Sequence, residues 1–381
     1  MPPGYLITVL IIGACVLLLL TRPRRQSRVG TVSYIAGGLL INEQPHWYAA
    51  LLAVITVLAV VQGEITSAAG WVVVALACVV VAGLFVLLAR IFPSRDALRT
   101  AVARLDEHAV DRLAGKRSHL GVLLAPVPLG RALVRRTRNI AYGPAGKANR
   151  LDVYRPRDEA TGPTLIYLHG GRFRMGDKQR ESQRMKYRLA CQGWVVISAN
   201  YRLNPEGKFP DFLIDLKRVI AWARSEGLAF GVDPERIFLA GSSAGAHISA
   251  MAALTPGRPD LQPGFEEVET PVQGVIGLYG YYGRLNVSGE AAQAIPSSPI
   301  DLAHPDAPPF LLIDAGHDSV IGPESTKQLL AALETAGSKV ARAELPGAEH
   351  TFDFLRSVRT ENTIDAIEDF ATWALSAEKP G

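Results

Sequence analysis

The chain has 381 residues and a formal charge of +4, enough for one large or two ordinary domains. Its small basic excess lies in short clusters, which excludes a nucleic-acid footprint, and its frequent Gly and Pro follow no period, which excludes collagen and low complexity. Of three cysteines, Cys15 and Cys78 sit inside apolar runs, so a disulfide framework is excluded and a reducing compartment is permitted.

The first ninety residues differ from the rest. Leu6–Leu20 is apolar except for Thr8, Trp47–Val61 except for Thr56, and Trp71–Ala89 has no polar residue. A bilayer-crossing helix needs about 20 apolar residues, with about 17 as a lower limit. With flanking residues, three spans are expected, over 4–20, 47–63 and 71–91. Trp47, Tyr48 and Trp71 stand at run ends, where interfacial aromatics belong. A cleaved signal peptide would begin with basic residues. Here none precedes the first run, and Arg22, Arg24, Arg25 and Arg28 follow it. Val29–Ile41 is shorter and apolar, expected either along the interface or as a weak extra span.

Basic flanks also set orientation. Arg90, Arg95, Arg99 and Arg104 follow the third run, whereas Gln62–Gly70 has no Lys or Arg. All the basic flanks are cytoplasmic together if the N-terminus is outside, which puts the large C-terminal domain in the cytoplasm. Residues 1–92 are thus read as a multi-pass membrane region. Asp96–Ala114 shows helical spacing of Leu98, Val102, Leu105 and Leu113, so residues 93–135 are read as an amphipathic connector and linker.

From about residue 136 to 381, short apolar runs alternate with helical patterns. Strands are expected at Asn139–Tyr142, Arg150–Tyr154, Thr164–Leu168, Trp194–Ala199, Arg236–Ala240, Val275–Tyr279, Phe310–Asp314 and Lys339–Leu345. Helices are expected at Arg180–Cys191, Asp211–Glu226, Ala246–Leu254, Glu324–Ala336 and Ile364–Ala374. This predicts an α/β fold with a mostly parallel, doubly wound sheet. The stretch 280–309, rich in Gly, Pro and Ser, is expected to form a small cap.

Gly241-Ser242-Ser243-Ala244-Gly245 lies between a predicted strand and a predicted helix. That is the context of a nucleophile elbow, with Ser243 at its apex. A serine needs a base and a group to orient the base. In the doubly wound arrangement the acid and then the histidine follow the serine. His304, His317 and His350 follow; His350, after the last strand, is favoured, and His247 on the elbow helix is expected to pack or cap. For the acid, Asp318 is favoured over Asp314. His169-Gly170-Gly171 follows the strand Thr164–Leu168, so Gly170, Gly171 and Ala244 are the candidate oxyanion donors.

Together with Asn200–Glu206 and Gly231–Ile237, these motifs resemble the α/β-hydrolase fold. More narrowly, they resemble the carboxylesterase/lipase and hormone-sensitive-lipase-like esterases, including the acetyl-xylan and feruloyl esterase-like branch. The resemblance covers about Arg138–Ala374. It implies a Ser243–His350–Asp318 triad, the same three oxyanion donors, no cofactor, no metal, and a small-molecule or lipid-like ester substrate. Actinobacterial lipases with N-terminal anchors have a similar layout, which implies a bacterial cell membrane and contact with its lipids. Two positions depart from the pattern. Arg172 stands where a third glycine is usual, and either narrows the acyl site, attracts an anion or faces solvent. Ser242 stands where Asp or His is frequent. The expected activity is that of a membrane-anchored serine esterase or lipase. An amidase or arylformamidase, and a catalytically inactive membrane-tethered binding module, are the alternatives.

Overall fold

Three long apolar helices precede the strands. The computed structural model describes residues 1–21, 28–34, 38, 40–105, 119–124, 131–286 and 295–377. In it α1 spans Pro3–Thr21, α2 Arg28–Ser33, α3 Pro45–Val61 and α4 Ala68–Ala89. Val9, Leu52 and Leu84 are buried between the long helices, while Leu17, Val61 and Val72 face outward. An apolar outer surface of this kind suits a helix surrounded by lipid. By length and composition α1 and the helix beginning at Ala68 are long enough to cross a membrane, and α3 is shorter.

Small residues set how these helices pack. A Cβ at Gly13 would lie 3.1 Å from Val80, and one at Gly83 would lie 2.6 Å from Val16. The contacts rise together along both helices, so α1 and α4 are parallel. Tyr5 Oη lies 3.1 Å from Thr56 Oγ1, near opposite ends of α1 and α3, so α3 runs the other way. The end of α1, the start of α3 and the end of α4 therefore share one end of the bundle. The strands attach there. Of the basic flank after α1, Arg22, Arg24 and Arg25 lie outside the described residues.

Among the described residues eight strands form one sheet: β1 Val134–Ala141, β2 Arg150–Pro156, β3 Thr164–Leu168, β4 Val195–Ala199, β5 Ile237–Ser242, β6 Gly274–Leu278, β7 Phe310–Ala315 and β8 Val340–Leu345. Their order is β1-β2-β4-β3-β5-β6-β7-β8. The β1–β2 and β2–β4 pairs are antiparallel and the others parallel. The α/β, mostly parallel expectation stands. Along β5, Ile237 and Leu239 join one core and Phe238 and Ala240 the other, the period-2 alternation of a strand buried on both faces. Helices α8 (Asp211–Arg224), α9 (Ala244–Ala253) and α10 (Glu324–Thr335) cover the first face, and α7 (Gln183–Cys191) and α11 (Val358–Ala377) the second.

The first part of the expected connector packs on the domain. Helix α5, Ser94–Ala103, buries Leu98, Ala101 and Val102 in the second core together with Ile367 and Ala343. Its apolar stripe pairs with the domain, so it belongs to the domain's helical layer. Residues 106–118 and 125–130 of the expected linker lie outside the described residues; between them α6 spans His119–Leu124. Strand β1 begins at Val134, two residues before the expected boundary. Of the expected cap, 287–294 lie outside the described residues. The rest is loop around a turn at Pro299–Leu302, with Ile295 buried in the first core.

Polar contacts tie the bundle to the domain. Arg359 Nη1 on α11 donates to Glu43 Oε1, and Ser357 Oγ donates to Glu43 Oε2 at 2.8 Å. Arg359 Nη2 donates to Pro346 O at 2.9 Å. Gln44 Nε2 donates to Arg356 O at 2.8 Å. Both Glu43 and Arg359 are buried.

Candidate active site

The elbow is held by close backbone packing. Ser243 has φ 53° and ψ −114°, a conformation that costs a non-glycine residue roughly 1–3 kcal/mol. Its amide donates to Leu278 O at 2.9 Å, and its carbonyl accepts from Ala246 N at 3.1 Å. A Cβ at Gly241 would lie 2.2 Å from the Gly245 carbonyl carbon, and one at Gly245 would lie 2.2 Å from Leu168 O. Any side chain at either position would push β5, α9 and the end of β3 apart. Ser242, which the sequence left unexplained, faces the second core: its hydroxyl is buried 2.8 Å from Tyr167 Oη.

His350 lies on the loop after β8, and Asp318 on the loop after β7. The structure brings them together, with Asp318 Oδ2 accepting from His350 Nδ1 at 2.7 Å. The other carboxylate oxygen accepts from the amides of Val320 and Ile321 at 2.8 and 2.7 Å. A carboxylate only accepts, so Nδ1 carries the proton and Nε2 is left as the acceptor. Burial pulls His350 down, but the Asp318 charge and hydrogen bond, with Glu181 and Glu349, outweigh it and leave its pKa raised. Tyr279 holds the imidazole edge-on, with ring centroids 4.7 Å apart.

The other candidates are placed elsewhere. Asp314 accepts from Thr326 Oγ1 at 2.8 Å and Arg342 Nε at 2.7 Å, and burial pushes it up to about 6 despite that arginine. His317 donates its amide to Ala348 O at 2.7 Å, pinning the Asp318 loop to the His350 loop. His304 accepts from Ser338 at its carbonyl. His247 is buried on α9 between Phe173 and Tyr281, and burial pushes it down to about 4.

One oxyanion expectation needs correcting. Gly170 N donates to Glu181 Oε2 at 2.9 Å. Glu181 is buried and a buried carboxylate needs donors, so this amide is taken. Those of Gly171, Arg172 and Ala244 have no acceptor among the described residues. The loop is clamped from below: Tyr201 Oη donates to His169 O at 2.9 Å, and Asn204 N to Phe173 O at 2.8 Å. Asn200–Glu206 therefore serves as the loop's support.

Ser243 stands where two cavity lobes meet. One lobe, about 440 Å³, is lined by Phe173, Tyr281, Leu285, Val320 and Ile321. The other, about 250 Å³, is lined by Gly171, Arg180, Glu181, Ser319 and His350. Arg172 borders both. Among the described residues no cluster of His, Cys, Asp and Glu fits a metal ion.

Known proteins share this fold. Residues 151–289 match the family model described as BD-FAE. Esterase B from Lactobacillus Rhamnosis (HN001) superposes with a TM-score of 0.55 at 20% identity, covering 74% of this chain and 97% of that one. The fold is that of the α/β-hydrolases. In sequence it is similar to Esterase LipQ of Mycobacterium tuberculosis (strain ATCC 25618 / H37Rv), 35% identical over 258 residues, 61% of each chain. The probable carboxylic ester hydrolase LipM of the same organism is 33% identical over 268 residues, 64% of this chain and 62% of its own. The chain thus spans about three fifths of the length of these curated relatives.

Three residues of the candidate site escape sequence reasoning. Glu181 and Tyr279 reach it only through tertiary contacts, with no local pattern to mark them. Tyr34 comes from the apolar N-terminal part, and its ring lies 6.1 Å from that of His350. The one usable signal was its position in the shortest of the apolar runs, Val29–Ile41.

Proposed function

We propose that the chain is a serine carboxylic ester hydrolase anchored in a membrane by its N-terminal helices. The observation that carries this reading is the 2.7 Å contact between Asp318 and His350 Nδ1, on loops that share a cavity with the strained Ser243. His350 Nε2 takes the Ser243 proton as Oγ attacks the ester carbonyl. The amides of Ala244 and Gly171, with Arg172 in place of Gly170, donate to the developing oxyanion; one such donor is worth about 2.7–4 kcal/mol. Collapse of the tetrahedral intermediate breaks the ester C–O bond, and His350 returns the proton to the departing alcohol. Water, deprotonated by His350, then releases the acid and regenerates Ser243. The 440 Å³ apolar lobe takes the acyl chain. This chemistry needs no cofactor.

The relatives named as esterases support an ester substrate, and the apolar helices support a lipid-like one. A cytoplasmic domain is supported by Arg90, Arg95, Arg99 and Arg104, which follow the last apolar helix at the end of the bundle that the domain joins. Ser243→Ala is expected to abolish both turnover of a p-nitrophenyl ester and labelling by a fluorophosphonate. Retained activity refutes the assignment. A cytoplasm-dependent reporter fused after Ala114 is expected to be active, and an inactive one overturns the topology.

A further inference from the structure

One wall of the catalytic cavity comes from outside the α/β-hydrolase domain. Thr31, on α2, borders both lobes, and Tyr34 borders the smaller one. Tyr34 Oη lies 3.2 Å from Thr351 Oγ1, next to His350. The stretch is fastened close by. Asn42 Nδ2 donates to Gly347 O at 3.0 Å, and Glu43 holds the buried Arg359. At Gly38 the backbone runs so near the His350 loop that a Cβ would lie 2.4 Å from Glu349 Cγ. These residues connect α1 to α3, at the end of the bundle where the apolar helices stop. Val29 and Val32 on α2 are exposed there, as is Met175 on the rim of the smaller lobe.

We propose that Thr31 and Tyr34 form a specificity-determining wall of the hydrolase site, which selects an ester whose apolar chain lies against Thr31 and reaches the cavity from the bilayer. The inference rests on the serine-hydrolase reading and adds its substrate class, a membrane-partitioned amphiphile. A chain passing from lipid to an apolar wall never exposes its methylenes to water, at about 0.8 kcal/mol each. A wall supplied by the membrane helices also keeps the cavity at the depth where such a chain resides.

The test uses the full chain in phospholipid nanodiscs. Wild-type turnover of p-nitrophenyl palmitate is expected to follow its mole fraction in the disc; a rate set by bulk concentration overturns the proposal. Thr31→Trp is expected to lower kcat/KM for the octanoate relative to the acetate by about tenfold, the scale of losing a chain contact in a pocket. An unchanged ratio overturns the wall. Thr31→Cys supplies a readout free of turnover. Ser243 is first labelled with a hexadecyl or a methyl fluorophosphonate, and maleimide then reports the introduced thiol. The long-chain label is expected to slow alkylation severalfold at that thiol and leave exposed Cys191 unaffected. Equal rates with both labels overturn the proposal. Failure of either label to react with wild type sinks the hydrolase reading itself, a result distinct from labelling without protection.

Discussion

Two histidines near Ser243 show how one neighbour reverses the effect of burial. His247 sits one turn along the elbow helix, packed against aromatic rings, with Nδ1 3.0 Å from Tyr281 O. Desolvation meets no countercharge there, and its pKa falls to about 4. His350 is as deeply buried, yet faces Asp318, and its pKa rises. A neutral, fixed imidazole is a packing element, whereas one whose cation is stabilised can accept a proton during a reaction. Proximity in sequence to the serine favours His247, whereas the carboxylate contact favours His350.

The most severe way to break this contrast is to remove each ring. His350→Gln is expected to lower kcat by about a millionfold, as loss of a base does in serine hydrolases. His247→Gln is expected to cost roughly 1–3 kcal/mol of stability through an imperfectly paired buried group and to leave kcat within about tenfold. Ester hydrolysis and thermal unfolding of the two variants check this, and equal kcat losses would dissolve the distinction. Next come the carboxylates. Asp318→Asn is expected to lower kcat by about 10⁴-fold through the wrong tautomer. Asp314→Asn loses a partly buried pair with Arg342, so about 3 kcal/mol of stability goes and turnover stays.

The pH dependence sharpens the same contrast. His350 must be neutral to act, so kcat/KM is expected to rise with pH on a limb above about 6.5, the free-histidine value. In residual Asp318→Asn activity, burial prevails and the limb moves to lower pH. Stability has its own signs. The raised pKa of His350 stabilises the fold fully below about 6.5, and that contribution is lost as pH rises through the folded value. With His247 the unfolded chain binds the proton first, so stability falls between about 6.5 and about 4 as pH drops. Denaturation titrations of His247→Gln are expected to show a shallower acid slope; an unchanged slope would remove His247 from the account. The smallest effect on rate is at Ser242→Ala. It removes the bond to Tyr167, costing roughly 1–3 kcal/mol of stability with kcat unchanged, and a large kcat loss would give Ser242 a role at the site.

The fold and the elbow were legible because their causes are local. Val195–Ala199 is an uninterrupted buried run, and the glycines of the elbow are required by atoms a few residues away. The pairing of Asp318 with His350 was open to reasoning from chain order, although Asp314 competed until packing placed it against Arg342. What stayed hidden depends on distant contacts. The Gly170 amide looked free until Glu181 folded over it. The helix Ser94–Ala103 read as a connector because its apolar stripe does not name its partner. Tyr34 read as part of a membrane run, since lipid and an apolar protein surface select the same residues.

The buried Glu43–Arg359 pair makes the start of the hydrolase domain in sequence different from its boundary in energy. Trimming the chain to begin at Ser94 would leave the Arg359 guanidinium buried without its anion. Breaking such a pair costs about 3–5 kcal/mol, against about 5–15 kcal/mol for the whole of a typical fold. An excised fragment is thus expected to express poorly, and the N-terminal helices and the α/β domain to melt as one cooperative unit.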